Sequence, residues 1–454
     1  MKKDKVLTII ECLVVFFMIF IYNSFFYGTY DHIIDFTHCY SIANGLKIYK
    51  DFNIVVGPVY PTLMAFLLKL FGKNFLVFDI VNSIIVVIIY LIIKKHNNNT
   101  MSLLTISVFF IVLVAKYNTF TLLLFYIIYY ADRGNNKYKD YIIGFLLSIT
   151  IFTKINMGCA FIIPTIILNL IKIKIVLKRF ISFSITSLSI IIIMIINGVF
   201  KGFINYTILG LLSFSKNLTY DFSIIFIVLS IIYIIKNIKK DKYLIYMLCF
   251  LALSYPLFEV CHILLAIFPL VVYTIDKYSN NSSFLNMIII IISSVLIFIS
   301  SNIKSLDRIS TINLKNKYYI QEKGIIELYK TIHKINKKLS NKRKEYKTFY
   351  FSMDSYLFKL DLNEKINKYD FIWNGNMGYK GEEKYLKEIK KYCNKNKCMF
   401  ILDKNCIYNR EKNDQINLEI LKYTEETYDE YLDDEFINET DYSVYINDNK
   451  LIKE

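Results

Sequence analysis

The sequence predicts a mainly α-helical polytopic membrane protein, with about eleven spans followed by a small extracytoplasmic α/β domain. Of the 454 residues, 55% are hydrophobic and only 20% are charged, and the mean hydropathy is +0.40. Soluble globular chains carry about 25% charged residues, and here much of the charge falls in the last third. This composition excludes an ordinary soluble enzyme, and also a disordered chain, which needs low hydrophobicity.

The spans are predicted from long apolar runs. The first run, residues 6–27, follows Lys2 and Lys3 and has no small-residue cleavage site. We therefore expect an uncleaved span with a cytoplasmic N-terminus rather than a signal peptide. Further single spans are predicted at about 75–93, 180–199, 222–235, 243–258, 262–275 and 284–300.

Two longer runs, 101–131 and 141–171, are interrupted only near Lys116 and Lys154. A helix of this length would reach about 46 Å, whereas the hydrocarbon core is about 30 Å thick. Each run is therefore predicted to be a hairpin of two short spans that breaks at its lysine. The shorter segment 58–72 begins with proline and ends with glycine, which favours a re-entrant or interfacial helix.

The distribution of Lys and Arg predicts the orientation in a cell membrane. The loops assigned to the cytoplasm contain most of the basic residues, namely Lys94, Lys95, Arg133, Lys137, Lys139, Lys172, Lys174, Lys178, Arg179, Lys236, Lys239, Lys240 and Lys242. This asymmetry is typical of the positive-inside bias. It also explains the net charge of +16 without nucleic acid as a partner.

An odd number of spans divides the chain into a membrane domain, 1–300, whose first outer loop is 28–74, and an extracytoplasmic domain, 301–454. Within the second domain, 315–347 is predicted to be helical. Strands are predicted at TFYFS (348–352), DFIWNG (370–375) and CMFILD (398–403), with a helix at 382–392. Strands that alternate with helices favour a small α/β domain.

Neither the cysteines nor a search for nucleotide- and metal-binding motifs predicts a functional site. Three cysteines fall in the second domain, and because three is odd we expect no closed disulfide framework. No Walker loop or dinucleotide-binding glycine motif occurs, so no nucleotide site is predicted. No metal-ligand spacing stands out; the cofactor stays unknown, and a divalent metal is possible but not indicated.

The first outer loop contains the most informative pattern. Asp31, Asp35 and His38 stand at i, i+4 and i+7, which places them on one stripe of a helix. Gly45 is a natural stop for that helix. On local pattern alone, a solvated amphipathic helix with no special function is the simpler interpretation.

The residues that follow shift this interpretation. Residues 48–52 (IYKDF) are followed by 57–61 (GPVYP) and by an apolar helix that ends at Gly72. This order resembles the GT-C superfamily of membrane glycosyltransferases, especially the family 39-like branch of protein O-mannosyltransferases and lipid A aminoarabinose transferases. In that branch an Asp-Glu pair follows the first span. Asp31 matches its Asp, but His32 replaces its Glu, and Asp35 is the candidate substitute.

The resemblance implies transfer of a sugar from a polyprenyl-phosphate carrier in the membrane to an acceptor, which is a glycan, a lipid or a protein. The acceptor hydroxyl needs a base, and Asp31 or Asp35 would supply it. The departing phosphate needs cations near it, and the sugar passes through an oxocarbenium-like state, as in glycoside hydrolysis. Asp51 would orient the acceptor or bind a metal.

The candidates for contact with the phosphate and substrate are Lys154, Lys201, Glu259 and His262. A lysine within a span costs about 2.5–3.5 kcal/mol on insertion scales, so Lys154 calls for a partner. The alternative is a lysine that snorkels to water. Glu259 and His262 stand at i and i+3 at a predicted outer face, and the alternative there is an ordinary polar turn.

Two other functions stay open. A transporter or flippase of lipid-linked glycans would place polar groups near the bilayer midplane, whereas here the spans 180–199, 222–235 and 284–300 are almost wholly aliphatic. A membrane-anchored binding protein would need only one span. Both observations favour a reaction at the membrane surface.

Overall fold

The computed structural model describes residues 2–21, 23, 30–96, 116–211, 219–220, 222–255, 257–258, 260–278, 309–314, 317–352, 354–362, 364, 366, 368, 378, 381–404, 418–431 and 434–446. Within these residues the chain is mostly helical and has a small mixed sheet. The mainly α class predicted from composition and apolar patterning is therefore confirmed.

The chain divides into two compact units. The first comprises Met1–Tyr40, Val56–Ile193 and Leu218–Lys323, and the second comprises Ser41–Val55, Met194–Asn217 and Gly324–Glu454. The second unit thus contains two segments from the first half of the sequence in addition to the polar tail.

The first unit is built mainly from apolar helices. They are α1 (Lys2–Ile21), α2 (Tyr30–Ala43, which runs into the second unit), α3 (Val59–Phe71), α4 (Phe75–His96), α5 (Lys116–Arg133), α6 (Lys139–Ile151), α7 (Ile155–Ile167), α8 (Ile173–Ile196, which also runs into the second unit), α10 (Ile224–Asn237), α11 (Leu244–Phe250) and α12 (Val260–Tyr278). The short helix α9 (Phe200–Phe203) and the π-helical turn Ile204–Ile208 belong to the second unit. Helix α3 starts after Pro58 and ends at Gly72, whose φ is 123°, as the sequence predicts.

The break predicted at Lys154 is present. Helix α6 ends at Ile151 and α7 begins at Ile155, and Lys154 between them is extended, with φ −148° and ψ 104°. The segment before α3 packs against this break and stabilises it, because the Gly57 N–H donates a hydrogen bond to the Thr153 carbonyl at 3.0 Å. A Cβ at Gly57 would collide with the Phe152 carbonyl, so only glycine allows this close approach.

A buried ionic network joins α5, α6, α7, α8 and α11. Arg179 donates to the carboxylates of Asp132 and Asp140 and, at 3.0 Å, to the Thr165 carbonyl. The Tyr246 hydroxyl donates to the other oxygen of Asp132 at 2.7 Å. A buried guanidinium is stable only when its donors are satisfied in this way. The network therefore fixes how five helices meet.

One predicted span has a different structure. Instead of a helix over 243–258, α11 ends at Phe250, a 3₁₀ turn covers Leu251–Ser254, and Tyr255 is extended. Tyr255 precedes Pro256 in the sequence, and a residue before proline is pushed out of the helical conformation. The two-residue strands β1 (Thr219–Tyr220) and β2 (Leu257–Phe258) then pair in parallel.

Two helices in the described part of the chain, Phe75–His96 and Ile173–Ile196, are long and apolar enough to cross a membrane. Shorter apolar helices cover Val59–Phe71, Ile155–Ile167, Ile224–Asn237 and Leu244–Ser254. The predicted span 284–300 lies outside the described residues. The count of eleven spans is therefore not confirmed and stays a prediction.

The tail forms a four-stranded mixed sheet in the order β5-β6-β8-β7. Strands β5 (Lys347–Phe351) and β6 (Cys398–Asp403) are parallel, whereas β8 (Tyr442–Ile446) pairs antiparallel with β6 and with β7 (Asp429–Glu430). The strands predicted at 348–352 and 398–403 are confirmed. The strand predicted at 370–375 lies outside the described residues.

Helices surround the tail sheet. They are α13 (Lys323–Lys338), α14 (Lys342–Glu345), α15 (Ser355–Leu362), α16 (Gly381–Cys393), α17 (Leu418–Thr427) and α18 (Glu435–Glu439). Helix α16, predicted at 382–392, packs Tyr385 and Ile389 into the core formed by aromatic and aliphatic residues of β5 and β6.

One expectation for the tail is wrong, and one disulfide is present that the sequence did not predict. The helix predicted over 315–347 starts only at Lys323, because β4 (Lys317–Glu322) pairs antiparallel with β3 (Ile309–Leu314). Cys393 and Cys398 form a disulfide, with 5.8 Å between their Cα atoms. A short turn joins the end of α16 to the start of β6, and it brings the two thiols together even though the number of cysteines in the tail is odd.

Candidate functional site

Helix α2 buries two residues of its predicted polar stripe, Asp35 and His38, and also the neighbouring His32. His32, Asp35 and His38 are 0%, 7% and 5% exposed, and the His32 ring contacts those of Phe75 and Phe78 at the start of α4. The helix ends at Ala43 and Gly45 has φ 92°, as the glycine stop predicts. A solvated loop helix is therefore wrong for these three residues. Asp31 lies in α2, but its side chain is outside the described residues.

His32 faces Asp79, a residue to which the sequence analysis gave no role. His32 Nε2 lies 2.7 Å from Asp79 Oδ1, and both side chains are almost wholly buried. Burial lowers the pKa of His32 more than the nearby Asp79 raises it, so the imidazole is neutral at pH 7. The signal that could have identified Asp79 is its acidic side chain inside an apolar run, which requires a partner.

Asp35 contacts the start of α5. Its Oδ2 accepts a hydrogen bond from the Lys116 backbone N–H at 2.9 Å. A carboxylate at this position is favoured because it satisfies an N–H of the first helical turn and complements the helix dipole. The buried Lys116 ammonium donates to Asn23 Oδ1 at 2.6 Å and interacts electrostatically with both Asp35 and Asp79.

Lys154 reaches the same turn of α5 from the break between α6 and α7. Its Nζ donates to Asn118 Oδ1 at 2.8 Å and lies 5.6 Å from the centre of the Tyr117 ring. His262, in the first turn of α12, is within electrostatic range of Lys154. The fold thus brings two predicted site residues, Asp35 and Lys154, into contact with the first turn of α5, and His262 interacts electrostatically with Lys154.

The other predicted site residues lie elsewhere. Asp51 and Lys201 belong to the second unit. Asp51 Oδ2 accepts the Lys47 backbone N–H at 2.7 Å and closes a turn in which Tyr49 has φ 63°. Lys201 is exposed on α9, and Glu259 is outside the described residues.

We call His32, Asp35, Asp79 and Lys116 the α2–α5 cluster. It combines two carboxylates, a neutral imidazole and an ammonium group. Carboxylates and imidazoles can take a proton from a hydroxyl, and a lysine can neutralise charge on a departing phosphate. In the described part of the chain, no group of three or more His, Cys, Asp or Glu side chains is arranged to hold a metal ion.

Comparison with known proteins identifies no family. No family model matches the chain, and no curated protein matches it. The resemblance to GT-C glycosyltransferases therefore depends on the residues of the first outer loop alone.

Proposed function

We propose that the chain is an integral membrane glycosyltransferase that moves a sugar from a polyprenyl-phosphate carrier to an extracytoplasmic acceptor hydroxyl. The observation that carries this proposal is the α2–α5 cluster, with Lys154 on the same turn of α5. Ionisable groups are expensive to bury in an apolar chain, and clusters of perturbed ionisable groups are concentrated at functional sites.

The surfaces of two helices support the membrane part of the proposal. Large apolar side chains are exposed around α8, among them Leu177, Ile185 and Ile192, and α10 exposes Phe226 and Leu229. Apolar surface of this extent is unfavourable in water. Lipid would cover it if both helices belong to the bundle of about eleven spans. The basic loops would then be cytoplasmic and the tail domain extracytoplasmic.

The proposed reaction breaks the bond between the anomeric carbon and the carrier phosphate oxygen. The acceptor oxygen forms the new bond to that carbon and loses its proton to the carboxylate of Asp31 or Asp35. Polyprenyl phosphate leaves with the bonding electrons, and Lys116 and Lys154 offset its negative charge. Asp79 would keep the His32 imidazole oriented beside the base.

The base can be tested with the full chain in proteoliposomes that contain polyprenyl-phosphate-linked sugars. The assay measures the polyprenyl phosphate released. We expect Asp31→Asn or Asp35→Asn to slow release by about 100-fold or more, the usual range for loss of a general base. Asp429→Asn, at an exposed position of β7, is the matched control. Normal rates in both loop variants would refute the mechanism.

The phosphate contact and the alternative function can be tested in the same vesicles. Lys154→Ala should raise the KM for the lipid-linked donor, whereas Lys137→Ala, in an exposed loop, should not. An unchanged KM would leave Lys154 with a structural role. If labelled donor crosses the bilayer without any release of polyprenyl phosphate, the protein is a flippase instead.

The orientation is tested by cysteine labelling in intact cells. Glu345 and Lys137 are both exposed. A membrane-impermeant maleimide should label Glu345→Cys from outside and Lys137→Cys only after lysis, relative to the unsubstituted chain. The reverse pattern would contradict an extracytoplasmic tail.

A further inference from the structure

The first helix of the tail, α13 (Lys323–Lys338), begins a strongly basic stretch of the chain. Residues 323–347 contain nine Lys and Arg but only two Glu. One side of α13 packs into the tail domain, because Tyr329, Ile332 and Ile335 are 7%, 0% and 0% exposed. The basic residues therefore have to lie on the remaining surface of the helix.

Three lysines form the exposed side of α13. Lys330, Lys334 and Lys337 stand at i, i+4 and i+7, so they share one face of the helix. Because a helix turns by about 100° per residue, the centre of this face lies roughly opposite the buried side. All three side chains are exposed. We call them the α13 lysine face.

The charges of this face are not neutralised within the tail. Its three lysines form no ion pair with another described residue, whereas the neighbouring Lys338 pairs with Asp434 at 2.7 Å. The Lys334 ammonium lies 3.6 Å from the centre of the Phe436 ring, a cation–π contact that leaves its charge in place. Glu327 is the one acidic residue of α13. The helix thus presents a net positive surface.

The position of α13 in the chain brings this surface close to the membrane unit. The first unit ends at Lys323, which is also the first residue of α13. A helix rises 1.5 Å per residue, so Lys337 lies about 21 Å along the helix from that point. The first unit contains α8 and α10, whose exposed apolar side chains lipid would cover.

We infer that the α13 lysine face docks the tail domain on a membrane leaflet that contains anionic phospholipid. A lysine near such a surface strengthens binding by about five-fold, so three lysines contribute about 100-fold at low salt. The inference needs the first unit to lie in a bilayer, but it does not depend on the proposed transferase activity. It also holds for an extracytoplasmic tail, because long domains are translocated largely regardless of their charge.

A second copy of the chain is the competing occupant. Residues 419–441 contain ten Asp and Glu and a single Lys, so the acidic segment of one copy could in principle face the lysines of another. The membrane is favoured because α13 follows directly on the first unit, and a bilayer around that unit presents many anionic headgroups at once.

The test is lysine footprinting of the full chain in nanodiscs that hold one copy each. An uncharged amine-reactive ester modifies exposed lysines, and mass spectrometry measures the rate at each position. The discs contain phosphatidylcholine with or without phosphatidylglycerol. We expect phosphatidylglycerol to slow modification of the α13 lysine face by about five-fold or more, and high salt to remove this protection.

Lys387 and Lys391, which are exposed on α16 of the same domain, are the internal controls and should keep their rates. Equal rates for the α13 lysine face in the two kinds of disc overturn the inference. Equal slowing at Lys387 and Lys391 also overturns it, because the effect would then not belong to α13.

A triple variant locates the docking surface. Lys344, exposed on α14, serves as the reporter, and phosphatidylglycerol should protect it in the unsubstituted chain. The test variant is Lys330→Gln/Lys334→Gln/Lys337→Gln. The matched control is Lys387→Gln/Lys391→Gln/Lys395→Gln, also at exposed positions. Protection of Lys344 should disappear in the test variant and persist in the control. Protection that persists in both overturns the assignment to this face.

Two further arms exclude other occupants. Glycerophosphoglycerol, the soluble form of the headgroup, is added to phosphatidylcholine discs and should protect none of the three lysines. Protection by it would indicate a site for a small anion and overturn docking on a membrane surface. Protection in uncharged detergent that grows with protein concentration would identify a second copy as the occupant, and it too would overturn the inference.

Discussion

His38 should make the stability of the first unit depend on pH. Its side chain is 5% exposed, and burial lowers its pKa from the usual 6.5 to about 3. The folded protein therefore keeps this imidazole neutral, whereas the unfolded chain protonates it below pH 6.5. Because the unfolded state binds more protons, the free energy of unfolding falls as pH drops from about 6.5 towards 3.

The magnitude follows from the difference between the two pKa values. One pKa unit corresponds to about 1.36 kcal/mol, so the complete shift is worth about 5 kcal/mol, and this value is reached only below pH 3. Between pH 7.5 and pH 5 the expected loss is about 2 kcal/mol. The assay is denaturant unfolding of the full chain in detergent across this range. His38→Gln should remove this part of the pH dependence.

His32 has a lowered pKa for the same reason, so some acid sensitivity should persist in the His38→Gln protein. His333→Gln is the matched control, because the His333 side chain is 60% exposed. If the unfolding free energies of the His38→Gln protein and the unsubstituted chain run parallel between pH 7.5 and 5, the desolvation argument fails.

Three further predictions concern stability, measured as the free energy of unfolding in detergent. Asp132→Ala should destabilise the first unit by about 3 kcal/mol, because it leaves the buried Arg179 guanidinium short of a partner. Gly57→Ala should destabilise it by about 3 kcal/mol, because the new Cβ overlaps the Phe152 carbonyl. Cys393→Ser should destabilise the tail by about 2 kcal/mol, the chain-entropy value for so short a disulfide loop.

Each of these substitutions has a control of the same chemistry. Asp429→Ala removes an exposed carboxylate, Cys159→Ser changes an exposed free thiol, and at Gly134 the nearest atom to a new Cβ would be 3.3 Å away. We expect effects within about 0.5 kcal/mol at Asp429 and Cys159. Losses as large as those of the test variants would show that the named contacts are not responsible.

Local signals in the sequence predicted much of the helical architecture. Pro58 and Gly72 bound α3, and the lysine in an apolar run marks the break before α7. These helix ends and breaks can be predicted from the sequence because proline, glycine and buried charged residues each restrict the local backbone conformation or position. The prediction of one helix over 243–258 was wrong. The pairing of β1 with β2 and the proline at 256 override the continuous apolar pattern there.

The pairing of residues within the α2–α5 cluster could not be predicted from such local signals. Asp35 and Lys116 are 81 positions apart, and the sequence offers each of them several opposite charges. Asp79 was missed because its neighbours are apolar, so it looked like one position of a span. Only the packing of α2 against α4 and α5 selects these pairs.

The sequence alone determined that this chain is mainly helical and where several helices start and stop. It also showed that ionisable residues are rare within the apolar runs, which made them candidate site residues. Those properties come from composition and from short-range backbone effects. The tertiary structure alone decided that Asp35 and His38 of α2 are buried, that His32 faces Asp79, and that Lys154 reaches the first turn of α5. These contacts join residues distant in sequence, and such contacts are set by helix packing rather than by local preference.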